Sequence, residues 1–411
     1  MTTISSPLTL PSGAILLNRI AKAAMSENMA DYTHNPGSEL ERLYGTWAHG
    51  GAGLLITGNI MVDSRALGEP HNVVVERGLS NESALRRWAA AGTANQAQLW
   101  GQLNHPGKQS PRFLCMETVA PSAIPYPASM NRMFATPRAL QEVEIVDCIE
   151  RFAYAAGTLK KCGFSGVQIH GAHGYLVSQF LSPHHNQRKD KWGGSLENRM
   201  RFALEIYRAI RTTVGAHFPI GIKLNSADFM KGGFSEEESI QVVDTLSKAG
   251  IDLIEISGGT YESPVMMGKK SILSNSSAKR EAYFLAYCEK VSKITKTPIM
   301  LTGGFRTRNA MDAALAYGAC DMIGLARSVA VRPDFPNRLI ENESCASEVY
   351  SLTTGSKHLD KLFPLEITWY THQLHRMGRG KNPNPDASVK MAILKSIWSF
   401  GMASLKRVRA R

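Results

Sequence analysis

Three consecutive stretches decide the fold: Ile220-Gly-Ile-Lys-Leu-Asn225, then Ser235-Glu-Glu-Glu-Ser-Ile-Gln-Val-Val-Asp-Thr-Leu-Ser-Lys-Ala249-Gly250, then Asp252-Leu-Ile-Glu-Ile-Ser257. The first and last are short, apolar and β-branched, as buried strands are. The middle one places Ile240, Val243 and Leu246 at helical spacing. Ser235 with Glu238 three residues on reads as a capping box, and Gly250 as a left-handed stop. The stretch is therefore one helix flanked by two strands that must run parallel. The same alternation recurs along the chain. Strand-like runs are Arg19 to Met25, Ala52 to Thr57, Gln96 to Leu103, Gly166 to His170, Ile220 to Asn225, Asp252 to Ser257, Pro298 to Thr302 and Cys320 to Leu325. Helical periodicity covers Glu39 to Ala48, Glu82 to Thr93, Val143 to Lys161, Leu196 to Val214, Glu236 to Ala249, Lys279 to Thr295 and Asn309 to Tyr317. Ser195 reads as a further N-cap, and Gly163, Gly215 and Gly318 as further left-handed caps. Eight βα units predict an α/β protein, a single (β/α)8 TIM barrel over residues 1–345. A proline-rich stretch from Asn104 to Leu140 has no period and predicts a long loop over the barrel mouth.

Residues 346–411 depart from the pattern and predict a basic, helical C-terminal extension, with Val389, Ile393, Ile397, Phe400 and Leu405 near one stripe. The formal charge of the 411 residues is +12. Residues 355–411 hold eleven Lys and Arg against Asp360, Glu366 and Asp386, so most of the excess is in this tail. A barrel that is only mildly basic does not predict a nucleic-acid surface. For the tail, docking on the barrel or on a sister subunit is favoured over contact with a membrane, and both a monomer and a homo-oligomer are compatible with the chain. A content of 43% hydrophobic and 20% charged residues excludes a disordered chain. The longest uncharged window, around Trp88 to Gly107, carries Asn95, Gln96, Gln98, Gln102, Asn104 and His105, too polar for hydrocarbon. No secretory signal is legible in the first twenty residues, and the default expectation is cytoplasmic. The six cysteines form no C-x-x-C pair, which argues against zinc ribbons, iron-sulfur clusters and a disulfide framework.

In a barrel of this kind chemistry sits at the C-terminal ends of the strands. There the chain places Ala24-Met25-Ser26, Gly58-Asn59, Gln102, His170, Lys223 with Asn225, Ser257, Gly303-Gly304 and Ala326-Arg327. The set is polar and poor in carboxylates, which disfavours a Mg²⁺ enzyme. Glycines after strand seven and Arg327 after strand eight match the usual phosphate site of barrels, although a Gly-Gly alone also reads as a tight turn. The sharpest group is His170-Gly-Ala-His173-Gly-Tyr175, three hydrogen-bonding side chains leaving one strand end together. Two chemistries fit it. One is zinc ligation by His170 and His173 with His184 or His185; the other is paired donation to a substrate oxygen that becomes an oxyanion. The segment has no carboxylate general base, which weighs against zinc, and no metal is expected.

At these residues the chain resembles the Old Yellow Enzyme family of FMN-dependent ene-reductases, over about Leu8 to Pro336. The marks are His170-Gly-Ala-His173-Gly-Tyr175-Leu-Val-Ser-Gln-Phe-Leu-Ser-Pro183 and Trp192-Gly-Gly-Ser-Leu-Glu-Asn-Arg-Met-Arg-Phe202. Supporting marks are Asn18-Arg-Ile20, Gln102-Leu-Asn-His105-Pro-Gly107, Thr302-Gly-Gly-Phe305 and Ile323-Gly-Leu-Ala-Arg327. The resemblance implies FMN in the barrel mouth. Ala24, Met25 and Ser26 would line it, and Gly58 and Gln102 would meet its pyrimidine edge. Lys223 would place a positive charge beside N1 and O2. Gly303, Gly304, Ala326 and Arg327 would hold its phosphate. His170 and His173 would bind the substrate carbonyl or nitro oxygen, and Tyr175 would protonate the α-carbon. It further implies a ping-pong reaction in which NADPH or NADH gives a hydride to the flavin and the activated C=C bond of an α,β-unsaturated carbonyl compound then takes it. Reduction of quinones or nitro compounds, or isomerisation, would use the same barrel. The chain departs from the family pattern at Ser26, where Thr or Cys is usual, at Lys223, where Arg is usual, and at Glu27-Asn28, where one subgroup has an aromatic residue.

Overall fold

The computed structural model describes residues 2–257, 277–342, 344–348 and 352–398, with 277–283 and 361–362 described by backbone alone. Eight parallel strands close on themselves: β1 (Ile20–Lys22), β2 (Leu54–Met61), β3 (Gln98–Asn104), β4 (Gly166–Gly171), β5 (Ile220–Asn225), β6 (Leu253–Ser257), β7 (Ile299–Thr302) and β8 (Met322–Leu325). Each pairs with the next, and β8 pairs with β1 through Ile323 and Ile20, which closes the barrel. The helices that follow strands β1 to β7 are α1 (Ser38–His49), α2 (Glu82–Gly92), α3 (Glu142–Lys161), α5 (Leu196–Val214), α6 (Glu236–Ala249), α7 (Ser277–Ser292) and α8 (Arg308–Ala316), and a short α4 (Leu176–Leu181) precedes α5. After β8 come α9 (Arg327–Val331), α10 (Phe335–Glu341), α11 (Lys357–Leu362) and α12 (Leu365–Gly378). The barrel expectation holds. Ser235 accepts the Glu238 N–H and Ser195 the Asn198 N–H, as their spacing predicts. Gly250 is left-handed at φ +95°. Gly215 is different: with φ +76° and ψ 179° it turns the chain without a left-handed cap, its N–H donating to Arg211 O and its carbonyl accepting from Arg211 Nη1 at 2.9 Å.

The strand alternation divides the barrel interior into layers. At the N-terminal end Trp100, Leu54, Ile56, Leu253, Met300 and Met322 form an apolar cluster. Leu8, Leu10 and Leu16 of an antiparallel hairpin (Leu8–Thr9 with Ile15–Leu16) pack into it from below. Two glycines make room for the Trp100 indole. A Cβ at Gly166 would lie 2.6 Å from its Nε1, and one at Gly221 2.9 Å from its Cζ3. Overpacking of this kind costs about 1–3 kcal/mol. Strand β2 runs on to Met61, past Thr57 where the sequence pattern ends it, because its register with β3 shifts between Ile56 and Asn59. Gly58 therefore sits in a bulge inside the strand.

Helix α12 packs along α1 and α9, with Trp369, Leu374 and Met377 buried. The tail stripe is only partly a docking face. Residues 389–398 are helical, Ile393 is buried and Val389 packs on the core, yet Ile397 is half-exposed. Steps of four residues overshoot a full turn by about 40°, so Ile397 stands about 80° around the helix from Val389. Phe400 and Leu405 lie outside the described residues. Among the described residues no helix is long and apolar enough to cross a membrane. All six cysteines are free thiols.

Candidate active site

Strand β4 delivers Gln168 and His170 to the inner face, and a tight turn then throws His173 and Tyr175 over the mouth. His173 has φ +61° and Gly174 φ +76°. A left-handed histidine is costly without support. The support is visible: its N–H donates to Asn225 Oδ1 at 3.1 Å, and its Nε2 lies 2.6 Å from Ser257 Oγ. Asn225 is itself fixed by donating Nδ2–H to Asp228 Oδ1 at 3.1 Å. The His170 ring centroid is 5.0 Å from that of His173 and 4.7 Å from that of Tyr175, so the three rings named by the sequence converge. All three are buried, at 3%, 6% and 8% exposure. The Ala172 N–H points at His170 Nδ1 at 3.3 Å. That makes Nδ1 the acceptor and leaves the proton on Nε2. Burial holds both imidazoles well below their usual range, and the nearby Lys223 charge adds to the effect. Both histidines are neutral donors at neutral pH.

Below them lies a polar layer. Gln102 Nε2 donates to Gln168 Oε1 at 2.7 Å, and Gln168 Nε2 donates to Glu255 Oε2 at 2.8 Å. Glu255 Oε1 meets Lys223 Nζ at 2.8 Å and accepts from Thr302 Oγ1 at 2.7 Å. Gln102 and Lys223 are thus brought together as the sequence predicts, but through Glu255, which strand-end reading missed. The poverty of carboxylates holds at the strand ends and fails one layer down. The alternation that puts Ser257 at the mouth puts Glu255, two residues earlier, on the same face.

The loop after β1 is tied from four sides. Ser26 Oγ donates to the Glu69 carboxylate, and Glu27 Oε1 accepts the Gly58 N–H at 2.8 Å. Thr371 of α12 donates to Ser26 O at 3.3 Å, and His375 Nε2 lies 2.9 Å from Glu27 O. Ala24 and Met25 pack partly buried against the inner and outer cores. Gly58 tolerates no side chain: a Cβ would sit 2.0 Å from Glu27 Oε2 and 2.3 Å from Met25 O. Beneath the bulge Lys22 Nζ donates to Ile56 O at 2.6 Å and to Tyr44 OH at 3.0 Å, 3.7 Å from Glu27 Oε1. Burial lowers the Lys22 ammonium to about 8, against the pull of Glu27. Burial also raises the Glu69 carboxyl above its usual range.

The phosphate candidates lie on adjacent strands, since Thr302 and Gly324 are register partners. Gly303 and Gly304 have φ +114° and +84°, and a Cβ on Gly303 would meet nothing within 4 Å among the described residues. Ala326 precedes α9, and Arg327 opens it with a guanidinium about one-third exposed. The chain also contributes an unforeseen partner: Arg327 Nη1 lies 3.0 Å from Glu366 Oε2 of α12. An anion and a planar ring system fit this set. A glycine turn follows β7, an arginine opens the helix after the adjacent β8, and Asn104, on the same face of β3 as Gln102, has both amide atoms buried without a hydrogen-bond partner among the described residues. A metal fits less well, because among the described residues no three His, Cys, Asp or Glu are grouped to hold one. His184 and His185 face each other, with ring centroids 4.8 Å apart.

The model of the NADH:flavin oxidoreductase / NADH oxidase family matches residues 4–344. The NADH-dependent flavin oxidoreductase iliE of Hypocrea jecorina is 37% identical over 359 residues, 82% of this chain and 89% of that protein. The NADH-dependent flavin oxidoreductase iccE of Talaromyces variabilis is 34% identical over 413 residues, 92% of this chain and 98% of that protein. Among solved structures, the old yellow enzyme homologue from Zymomonas mobilis aligns with a TM-score of 0.71 over 85% of this chain and 97% of its own, at 24% identity, a likeness of fold.

Proposed function

The chain belongs to the NADH:flavin oxidoreductase / NADH oxidase family, the Old Yellow Enzyme family of its motifs, as an NAD(P)H-dependent FMN oxidoreductase, and from that premise we propose that it reduces the activated C=C bond of α,β-unsaturated carbonyl compounds. The observation that carries this reading is the pair of neutral imidazoles, one of them locked with its proton on Nε2, beside Tyr175. FMN, when bound, would supply the hydride chemistry between the nicotinamide and the substrate carbon. Everything else falls to the protein. His170 donates Nε2–H to the carbonyl oxygen. His173 Nε2 lies 2.6 Å from Ser257 Oγ; in this reading the Ser257 hydroxyl donates to it, and Nδ1–H of His173 is the second donor. Two neutral donors stabilise an enolate oxygen without giving up a proton, as an oxyanion site requires. The Tyr175 phenol holds the proton that ends on the α-carbon.

Ala24, Met25, Ser26, Gly58, Gln102 and Lys223 are the proposed contacts of the isoalloxazine, and Gly303, Gly304, Ala326 and Arg327 those of the phosphate. NADH is the proposed donor, on the strength of the names of the relatives. The same reading takes residues 346–411 as an extension that reaches the site through α12. An anaerobic visible spectrum tests it. A flavin band that bleaches with NADH and returns on adding cyclohexenone is the expected result. A flavin reoxidised by quinones or nitro compounds but never by enones would move the substrate class, and a protein that takes up no FMN would overturn the reading.

A further inference from the structure

Glu255 is fully buried, faces the barrel axis, and is the only formal negative charge in the hydrogen-bonded layer of Gln102, Gln168, Lys223, Thr302 and itself. Five strands, β3 to β7, contribute one side chain each. A carboxylate has no proton to give, so it dictates the direction of every bond in the chain. Gln168 must turn its NH2 toward Glu255 and therefore its carbonyl toward Gln102. Gln102 must then spend one N–H on Gln168, which leaves it one amide hydrogen and a carbonyl oxygen for whatever lies above. That donor and acceptor side by side match the imide-like edge of a flavin pyrimidine ring. On the other side Glu255 contacts Lys223 at 2.8 Å, so the layer presents an ion pair with no net charge, where the sequence alone suggests a bare cation.

We propose that Glu255 is a positioning residue that sets the redox poise of the site, cancelling the Lys223 charge and orienting the Gln102 amide toward the flavin edge; the inference rests on the FMN reading above. An uncompensated cation beside the ring favours electron-rich, reduced FMN, because charge acts strongly in a low-dielectric interior. Pairing the cation with Glu255 holds the potential down and keeps the reduced enzyme a strong donor.

The test is the midpoint potential of the flavin-loaded protein, by equilibrium dye titration, in the parent, Glu255→Gln, Lys223→Met and the double variant. Glu255→Gln is expected to raise the reduction equilibrium at least tenfold, about +30 mV for a two-electron couple. Lys223→Met, which leaves the carboxylate alone, shifts it the other way. The double variant, again without net charge, returns toward the parent, as a coupled pair must. Sulfite, an anionic probe of charge at the ring, binds at least tenfold more tightly to Glu255→Gln. Equal potentials in the parent and Glu255→Gln, with flavin bound in both, overturn the proposal. If Glu255→Gln fails to fold, Lys223→Met decides, and an unchanged or raised potential there overturns it as well. A parent that holds no FMN, or whose FMN NADH does not bleach, sinks the functional reading itself before any variant is made.

Discussion

Removing the Asn225 side chain measures how far the substrate site depends on the turn that carries His173. In Asn225→Ala the His173 N–H loses its acceptor at 3.1 Å, and Asp228 loses the amide that donates to it. A buried N–H left without a partner costs about 1–3 kcal/mol. The same bond offsets the strain of a left-handed histidine, φ +61°, so the turn relaxes and the imidazole leaves its place beside His170. Ser257 alone then restrains the ring. If the oxyanion site is the pair, its affinity for a phenol, whose oxygen imitates the enolate, falls by roughly fivefold to 150-fold, the equivalent of that ~1–3 kcal/mol. The assay is the phenol-induced long-wavelength absorbance of the bound flavin, titrated in parent and variant after equal flavin content has been confirmed. Phenol affinities within twofold of each other, with FMN bound in both, would refute the reasoning and remove His173 from the site.

Tyr175→Phe is expected to keep flavin reduction by NADH while enone reduction slows by about 10²-fold or more, the usual loss for a general acid; stopped-flow measurement of the two half-reactions separates them. Glu366→Gln removes a negative charge from the Arg327 guanidinium and should tighten FMN binding by a few-fold, the scale of a partly exposed ion pair, as read by quenching of flavin fluorescence on titration into apoprotein. Acid should destabilise the fold: burial holds His105 at about 4, and His170, His173 and His185 well below 6.5. Below pH 6.5 the unfolded chain takes up protons that the folded chain refuses, so stability falls as pH drops, by about 1.4 kcal/mol per unit for each such histidine. Denaturant melts at pH 7 and pH 5 should show the drop in the parent and a smaller one in His105→Gln; equal drops would discount His105.

The barrel was legible because its signals are local. Ser235 and Glu238 are three residues apart, and each apolar run spans five to eight residues, so periodicity and caps find them without knowledge of the fold. The His170, His173 and Tyr175 group was legible for the same reason. Gly215 shows the limit of such signals: the residue type permits a positive φ but does not decide ψ, and the chain leaves α5 extended. The Glu255 layer was hidden by register. Alternation back from Ser257 turns Glu255 to the inner face, but which side chain it meets there is set only by the pairing of β5 with β6, with Lys223 opposite Glu255 and Asn225 opposite Ser257.

The extension was the least legible part, and its placement changes what it is for. The family model stops at residue 344 and α12 begins at Leu365, although the likeness to iccE runs on past the barrel, over 92% of this chain. Yet α12 supplies Glu366 to Arg327, Thr371 to the Ser26 carbonyl and His375 to the Glu27 carbonyl, across separations of 39, 345 and 348 residues. These are the two places, the loop after β1 and the start of α9, where the resemblance puts the two ends of the cofactor. Such contacts leave no periodic trace, because one partner lies on a helix read as tail and the other on a loop read as barrel. The basic charge that drew attention to the tail says nothing of them. A residue pair that neutral polar groups join, Thr371 with a carbonyl, is invisible to any argument from net charge. Helix α12 therefore packs against the candidate site, and the loop that carries Ser26 is held by Glu69 and Gly58 on the barrel side and by α12 on the other.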